Sequence, residues 1–276
     1  RMARTGAVSS RNGQVVSGFY RFRKPYAAIT QVACGRASFR RSGSLVSEKA
    51  GGRTMGIFLG IDCSMRWTNI GVSDETGVLG EINVHAGKEQ AGMLPRMVGD
   101  LLSTRKLRFS DISAIGVAVG PGFFTGIRIG VAYSLGLSFA LDIRTIPVGS
   151  LEVMAQSFGI ESEIVAPILS ASGGNVFGAV FRYDEGRLCP IHDAGCFSHD
   201  EFSSILEPMG KNVRLLYQDI RLLDRFSERE RSLWNCSICF IRGGAVSELT
   251  RRNSSRALPP SEIRACYHRA PDTGKK

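Results

Sequence analysis

Residues 120–130 read GPGFFTGIRIG, and this segment narrows the folds open to the chain more than any other. It follows a continuously apolar run at 112–119, which is the length of a strand and suits one buried on both faces. It leads into a stretch at 127–141 that is apolar nearly all round, with Arg128 as its only charge. Such a stretch predicts a buried helix. A strand that passes into a helix through so many glycines has a corner that needs positive φ, or that brings backbone close to a ligand or a neighbouring chain. Free N–H groups at 126–129 would face an anion there. The segment is not a Walker A loop, because the glycine spacing differs and no Gly-Lys-Ser/Thr follows. A tight corner with no ligand at all fits the same residues equally well.

The flanking sequence supplies the rest of a half-domain. Strands are predicted at 57–64, 67–73 and 78–85, the last two joined by the turn residues Asp74-Glu75-Thr76-Gly77. Leu94, Met97, Val98, Leu101 and Leu102 form the stripe of an amphipathic helix. A strand at 143–148 and a helix from Ser150, read as its cap, to about residue 158 complete a β-β-β-α-β-α-β-α order. Beyond 160 the pattern is fainter. A strand pair at 164–171 and 176–183 surrounds Ser172-Gly173-Gly174-Asn175, a helix is expected at 199–209, and a strand at 236–241 enters Gly243-Gly244 before a helix at 245–252.

The formal charge of +10 suggests a nucleic-acid partner until it is located. Residues 1–54 carry eleven Lys/Arg against the single acid Glu48, which leaves 24 basic and 24 acidic residues for the neutral body. The leader resembles a transit peptide in composition and is expected to be disordered, non-native or dispensable, with Met55 an alternative start. Seven cysteines scattered over the chain form no dense framework, so reduced thiols in a cytoplasm are expected. No apolar stretch approaches the ~20 residues of a membrane span. Cys189, His192, Cys196 and His199 with Cys236 and Cys239 are zinc-ligand types. The spacer is too short for a zinc finger, and Cys236 and Cys239 should point to different faces of a strand. No metal is expected.

The 120–130 segment resembles the GPGSFTGLRIG signature of the TsaB (YeaZ) family. Gly60-Ile61-Asp62-Cys63-Ser64 is similar to the family's A-I-D-T-S, Gly149-Ser150-Leu151-Glu152 to its G/S-S-L-x, and Cys266 to Asp272 to its P-x-Y-L-R-x-P-D. Phe123 replaces the usual Ser, and Ser170-Ala171-Ser172 stands where D-A-R is common. The resemblance implies an α/β, actin-like ATPase fold with two mixed-sheet subdomains, here 55–159 and 160–276. It also implies a non-catalytic role in forming N6-threonylcarbamoyladenosine at position 37 of tRNA. The partners would be a TsaD-type catalytic subunit and a TsaE-type ATPase, with a homodimer when alone and tRNA met only indirectly.

In this superfamily a first-strand acid and a glycine turn hold a nucleotide. Asp62, Ser64, Gly120, Gly122, Thr125, Gly126, Gly243 and Gly244 therefore leave room for an adenine nucleotide in the cleft or at the partner interface. The TsaD metal pair, H-x-x-x-H, has no counterpart: His85, His192, His199 and His268 are never four apart. A small-molecule kinase or hydrolase on the same fold is the alternative, and would need an acid that the sequence does not offer at 170–172. The partner surface is expected on Met93, Leu94, Met97, Leu101, Gly130, Ser134, Leu137 and Ser138. There the small residues recur every four positions and the methionines adapt to a facing helix.

Overall fold

The computed structural model describes residues 56–159, 164–184 and 187–267, together with the backbone of two short strands, β1 (Ser17–Phe19) and β2 (Gln31–Ala33). The expected meander is present as β3 (Ile57–Asp62), β4 (Trp67–Asp74) and β5 (Gly77–His85), all antiparallel. Asp74 Oδ1 accepts the Thr76 N–H at 2.8 Å and so closes the turn between β4 and β5. β6 (Ile112–Ala118) and β7 (Arg144–Val148) join in parallel, giving the order β1-β2-β5-β4-β3-β6-β7. The leader therefore contributes to this sheet, with Gln31 paired to Asn83. The rest of 1–55 lies outside the described residues.

Helices α1 (Gln90–Thr104) and α2 (Phe124–Leu141) cover one face of this sheet over Leu59, Ile61, Ile70, Val72 and Ile115. The predicted stripe of α1 is buried as its spacing requires. α2 is long and apolar enough by composition to cross a membrane, but it lies on the sheet, with 33% of its residues buried. The residues it turns inward are Gly126, Ile127, Gly130, Ser134 and Ser138. Small side chains bring the helix axis close to the strands, and the Ser138 and Thr145 hydroxyls share a hydrogen bond of 2.7 Å.

The opposite face carries α3 (Ser150–Phe158) and α6 (Gly243–Arg252). Gly71, Gly60 and Gly116 sit side by side on three neighbouring strands. α6 rests on this row. A methyl group added at any of the three would come within 3.0 Å of Gly243 O, Ser247 N or Thr250 Oγ1, respectively. Gly in a strand interior marks such a close approach.

The second sheet runs β10 (Arg187–Phe197), β9 (Val176–Asp184), β8 (Ile164–Ser170), β11 (Val213–Tyr217) and β12 (Ser237–Ile238). α4 (His199–Leu206) and α5 (Glu228–Leu233) pack outside it around Phe202 and Trp234. α3 and α6 lie between the two sheets, in a core that joins Ile146, Met154, Leu169, Phe181 and Val246. The two-subdomain α/β architecture is as expected, but a division at residue 160 is too simple. After β12 the chain returns to the first sheet through α6, then bridges Leu258 to Thr145 and donates the Cys266 N–H to Val119 O at 2.7 Å. α4 stops at Leu206 because Pro208 follows within an irregular 3₁₀ turn.

Candidate functional site: the cleft face of the first sheet

Alternate residues of a strand share a face, so Asp62, Asn69, Asn83 and Glu81 line up beside the α6 N-terminus. Asp62 is fully buried. Its Oδ1 accepts the Ser64 N–H at 3.0 Å and its Oδ2 accepts from Asn69 Nδ2 at 2.8 Å. Burial pushes its carboxyl above the ordinary value, against the pull of these bonds from Ser64 and Asn69. Burial and the adjacent Asp62 charge push the Cys63 thiol up as well. Asn83 Oδ1 accepts the Gly243 N–H, and Glu81 Oε2 the Gly244 N–H, each at 2.8 Å. Glu81, only 2% exposed, also accepts from Arg242 Nε at 3.0 Å and pairs with its Nη2. A carboxylate is favoured at a helix N-terminus, but it also occupies the donors that would otherwise hold a phosphate. The Gly243 and Gly244 N–H groups, expected to face a nucleotide, are here bonded to the chain's own side chains.

The 120–126 corner is also folded onto the chain itself. Methyl groups at Gly122 and Gly126 would fall within 3.0 Å of Ser64 O and Cys63 O. The Phe123 N–H donates to Ser64 O at 2.7 Å. Gly120 has φ of +122°, lies against Cys266 O, and accepts the Ser150 N–H at 2.8 Å. Asp62, Ser64, Gly120, Gly122 and Gly126 are thus brought together, with Thr125 exposed on the first turn of α2. The close approach joins backbone to backbone. α2 begins at Phe124, and Ile127 N–H already bonds Phe123 O at 3.0 Å, so of the expected donors at 126–129 only Gly126 precedes the helical ladder. Ser150 is the first helical residue and Gly149 the cap.

The expected partner surface needs a larger correction. Leu94, Met97 and Leu101 are inside the core, and Gly130, Ser134 and Ser138 seat α2 on its own sheet. Met93 and Leu137 are half-buried at the margin. α2 turns outward Thr125, Arg128, Ala132, Gly136, Phe139 and Ala140, with Phe139 84% exposed. Among the zinc-type residues, Cys236 packs against the outer core of the second sheet and Cys239 in the inner one. No group of His, Cys, Asp and Glu among the described residues is placed to hold a metal ion.

Asp62→Asn tests whether this acid is structural. A folded-state value above the ordinary 3.8 means that the native state binds the proton more readily. Wild type therefore loses stability as pH rises from 3.8 toward the raised folded value. Asn carries no such dependence, and Asn69, whose Oδ1 has no partner, can turn its amide to accept from it. Thermal unfolding should show the variant at least as stable as wild type at pH 7, with wild type gaining on it as pH falls toward 3.8. A variant that melts earlier at pH 7 would show that the buried charge itself is required.

The comparisons bear on this geometry. The family model of TsaD, tRNA N6-adenosine threonylcarbamoyltransferase, matches residues 74–260, well over half of the chain. The chain belongs to that family. The tRNA threonylcarbamoyladenosine biosynthesis protein TsaB of Bacillus subtilis (strain 168) is 33% identical over 130 residues, 47% of this chain and 57% of that protein. TsaB of Escherichia coli (strain K12) is 30% identical over 134 residues, 47% and 54% of the two. The chain thus spans little more than half the length of these curated relatives. A Pseudomonas aeruginosa structure described as similar to peptidase YEAZ superposes with TM-score 0.70 at 20% identity, covering 78% of this chain and 100% of that one. Nothing in the local sequence around Glu81, Asn83 and Arg242 marks them as the groups gathered at the N-terminus of α6. The interior glycines of β3, β4 and β6 were the available signal that a backbone lay against the sheet.

Proposed function

We propose that the chain acts in the formation of N6-threonylcarbamoyladenosine at position 37 of tRNA as a non-catalytic subunit. It binds a TsaD-type catalytic protein, and a TsaE-type ATPase docks on the pair. The observation that carries this reading is the saturation of the cleft. Asp62 is buried and bonded, and the α6 donors are capped by Asn83 and Glu81. An actin-like kinase or hydrolase needs an acid within reach of substrate, and this arrangement leaves none at the first strand. Family membership supports the pathway, since the matched relatives are named for it. The outward apolar strip of α2 supports the partner role, and in the free chain the same strip would pair two copies. Cytoplasmic localisation follows from the same proposal.

Size-exclusion chromatography of the chain with a TsaD-type protein should show a stable complex. The isolated chain should turn over neither ATP nor threonylcarbamoyl-AMP. ATP turnover by the isolated chain that disappears in Asp62→Asn would overturn the non-catalytic reading in favour of the kinase or hydrolase.

A further inference from the structure

Several exposed arginines find carboxylates: Arg96 with Asp100, Arg221 with Asp219, Arg252 with Glu248. The outer edge of the first sheet is different. β7 is its last strand, and the returning segment after α6 is tied along it by the Thr145–Leu258 bridge and the Cys266–Val119 bond. Arg144, Arg256 and Arg264 are exposed in these segments, and among the described residues none is paired with a carboxylate, although Asp142 and Glu262 stand nearby in sequence. Arg144 Nη1 donates to Ala257 O at 3.4 Å, and Arg264 Nη1 to Ser261 O at 2.6 Å and Ile263 O at 2.9 Å. Bonds to carbonyls steady a guanidinium without cancelling its charge, and they leave other N–H donors free. At Tyr267 the edge meets a stack. The Tyr267 ring lies 5.0 Å from Phe124, the Arg128 guanidinium sits 3.7 Å over Phe124, and Arg128 Nε is 3.4 Å from the Tyr267 hydroxyl.

Arg144 and Arg264, held but uncompensated, with the exposed Arg256, offer charges that phosphates can meet, and phosphate contacts position an RNA, while an exposed aromatic beside them receives an unstacked base. We propose that this edge binds the phosphodiester backbone of tRNA, so that the chain touches RNA directly as well as through its partner. A neutral body hides such a face in sequence, because the arginines converge only when the end of the chain returns to β7. The inference stands apart from the pairing proposal, since RNA binding by this edge and complex formation by α2 are measured separately.

The full chain and its R144Q/R256Q/R264Q variant are titrated with labelled, unmodified tRNA transcript over a range of salt concentrations. The basic leader is present in both, so the difference between them reports the edge. The variant should bind roughly tenfold more weakly at low salt, and its log–log salt slope should be smaller in magnitude by about 2–3. R144K/R256K/R264K should keep most of the affinity and slope, since lysine preserves the charge. Four results would overturn the proposal: no wild-type binding to tRNA; equal affinity and slope in wild type and the glutamine variant; a lysine variant as weak as the glutamine one; or a loss confined to phosphatidylglycerol vesicles.

Discussion

Alanine at Gly60 is expected to lower the melting temperature by roughly 6–12 °C, the equivalent of about 3 kcal/mol in a chain of this size. The argument is steric. The added methyl would come within 3.0 Å of the backbone of Ser247 and Val246 in α6, and backbone inside a docked helix cannot rotate away as a side-chain tip can. The helix must lift or the strand must shift, and either opens the core between the sheets that includes Val246 and Leu249. Gly99→Ala is the matched control. It lies within α1, where a methyl meets nothing within 4 Å, so it should stabilise by about 0.5–1 kcal/mol through helix propensity alone. A Gly60→Ala chain that melts with wild type would mean that α6 does not rest on this sheet.

Phe139→Glu should weaken the complex with a TsaD-type protein by roughly 100-fold or more, while leaving the fold intact. A large apolar side chain that is 84% exposed near the end of a helix contributes little to its own monomer. At the centre of a protein interface an aromatic anchor carries much of the binding energy, and a carboxylate in its place would be desolvated without a partner. Ser134→Arg would be no test of pairing. Ser134 is completely buried against the sheet, so that substitution would unseat α2 before any partner was met. Retention of native affinity by a folded Phe139→Glu chain would place the interface elsewhere.

What the sequence conveyed well was local. The β3 to β5 meander, the α1 stripe and the strand–corner–helix at 112–130 each follow from patterns that repeat within a few residues. α2 was recognised as a helix but not oriented, because a helix that is apolar all round has no direction in its pattern. Its small residues suit a sheet as well as a partner helix. Glu81 reads as an ordinary polar residue in a half-exposed strand. Only the fold brings it to Arg242, 161 residues away. β10 is illegible for a related reason: it is an edge strand with register shifts near Pro190 and His192, so its alternation is broken, and Cys189, His192 and Cys196 within it are also zinc-ligand types.

The row of Gly71, Gly60 and Gly116 also sets an order of events at the ribosome. All seven strands of the first sheet and the helices α1 and α2 are made before residue 150, yet the helix that covers the glycine row is made about a hundred residues later. At elongation rates of ~5–20 residues per second, that row waits about 5–20 s for its cover. The half of the protein encoded first is therefore completed last, and synthesis arrested between α3 and α6 yields a product whose glycine row is bare to chaperones and proteases.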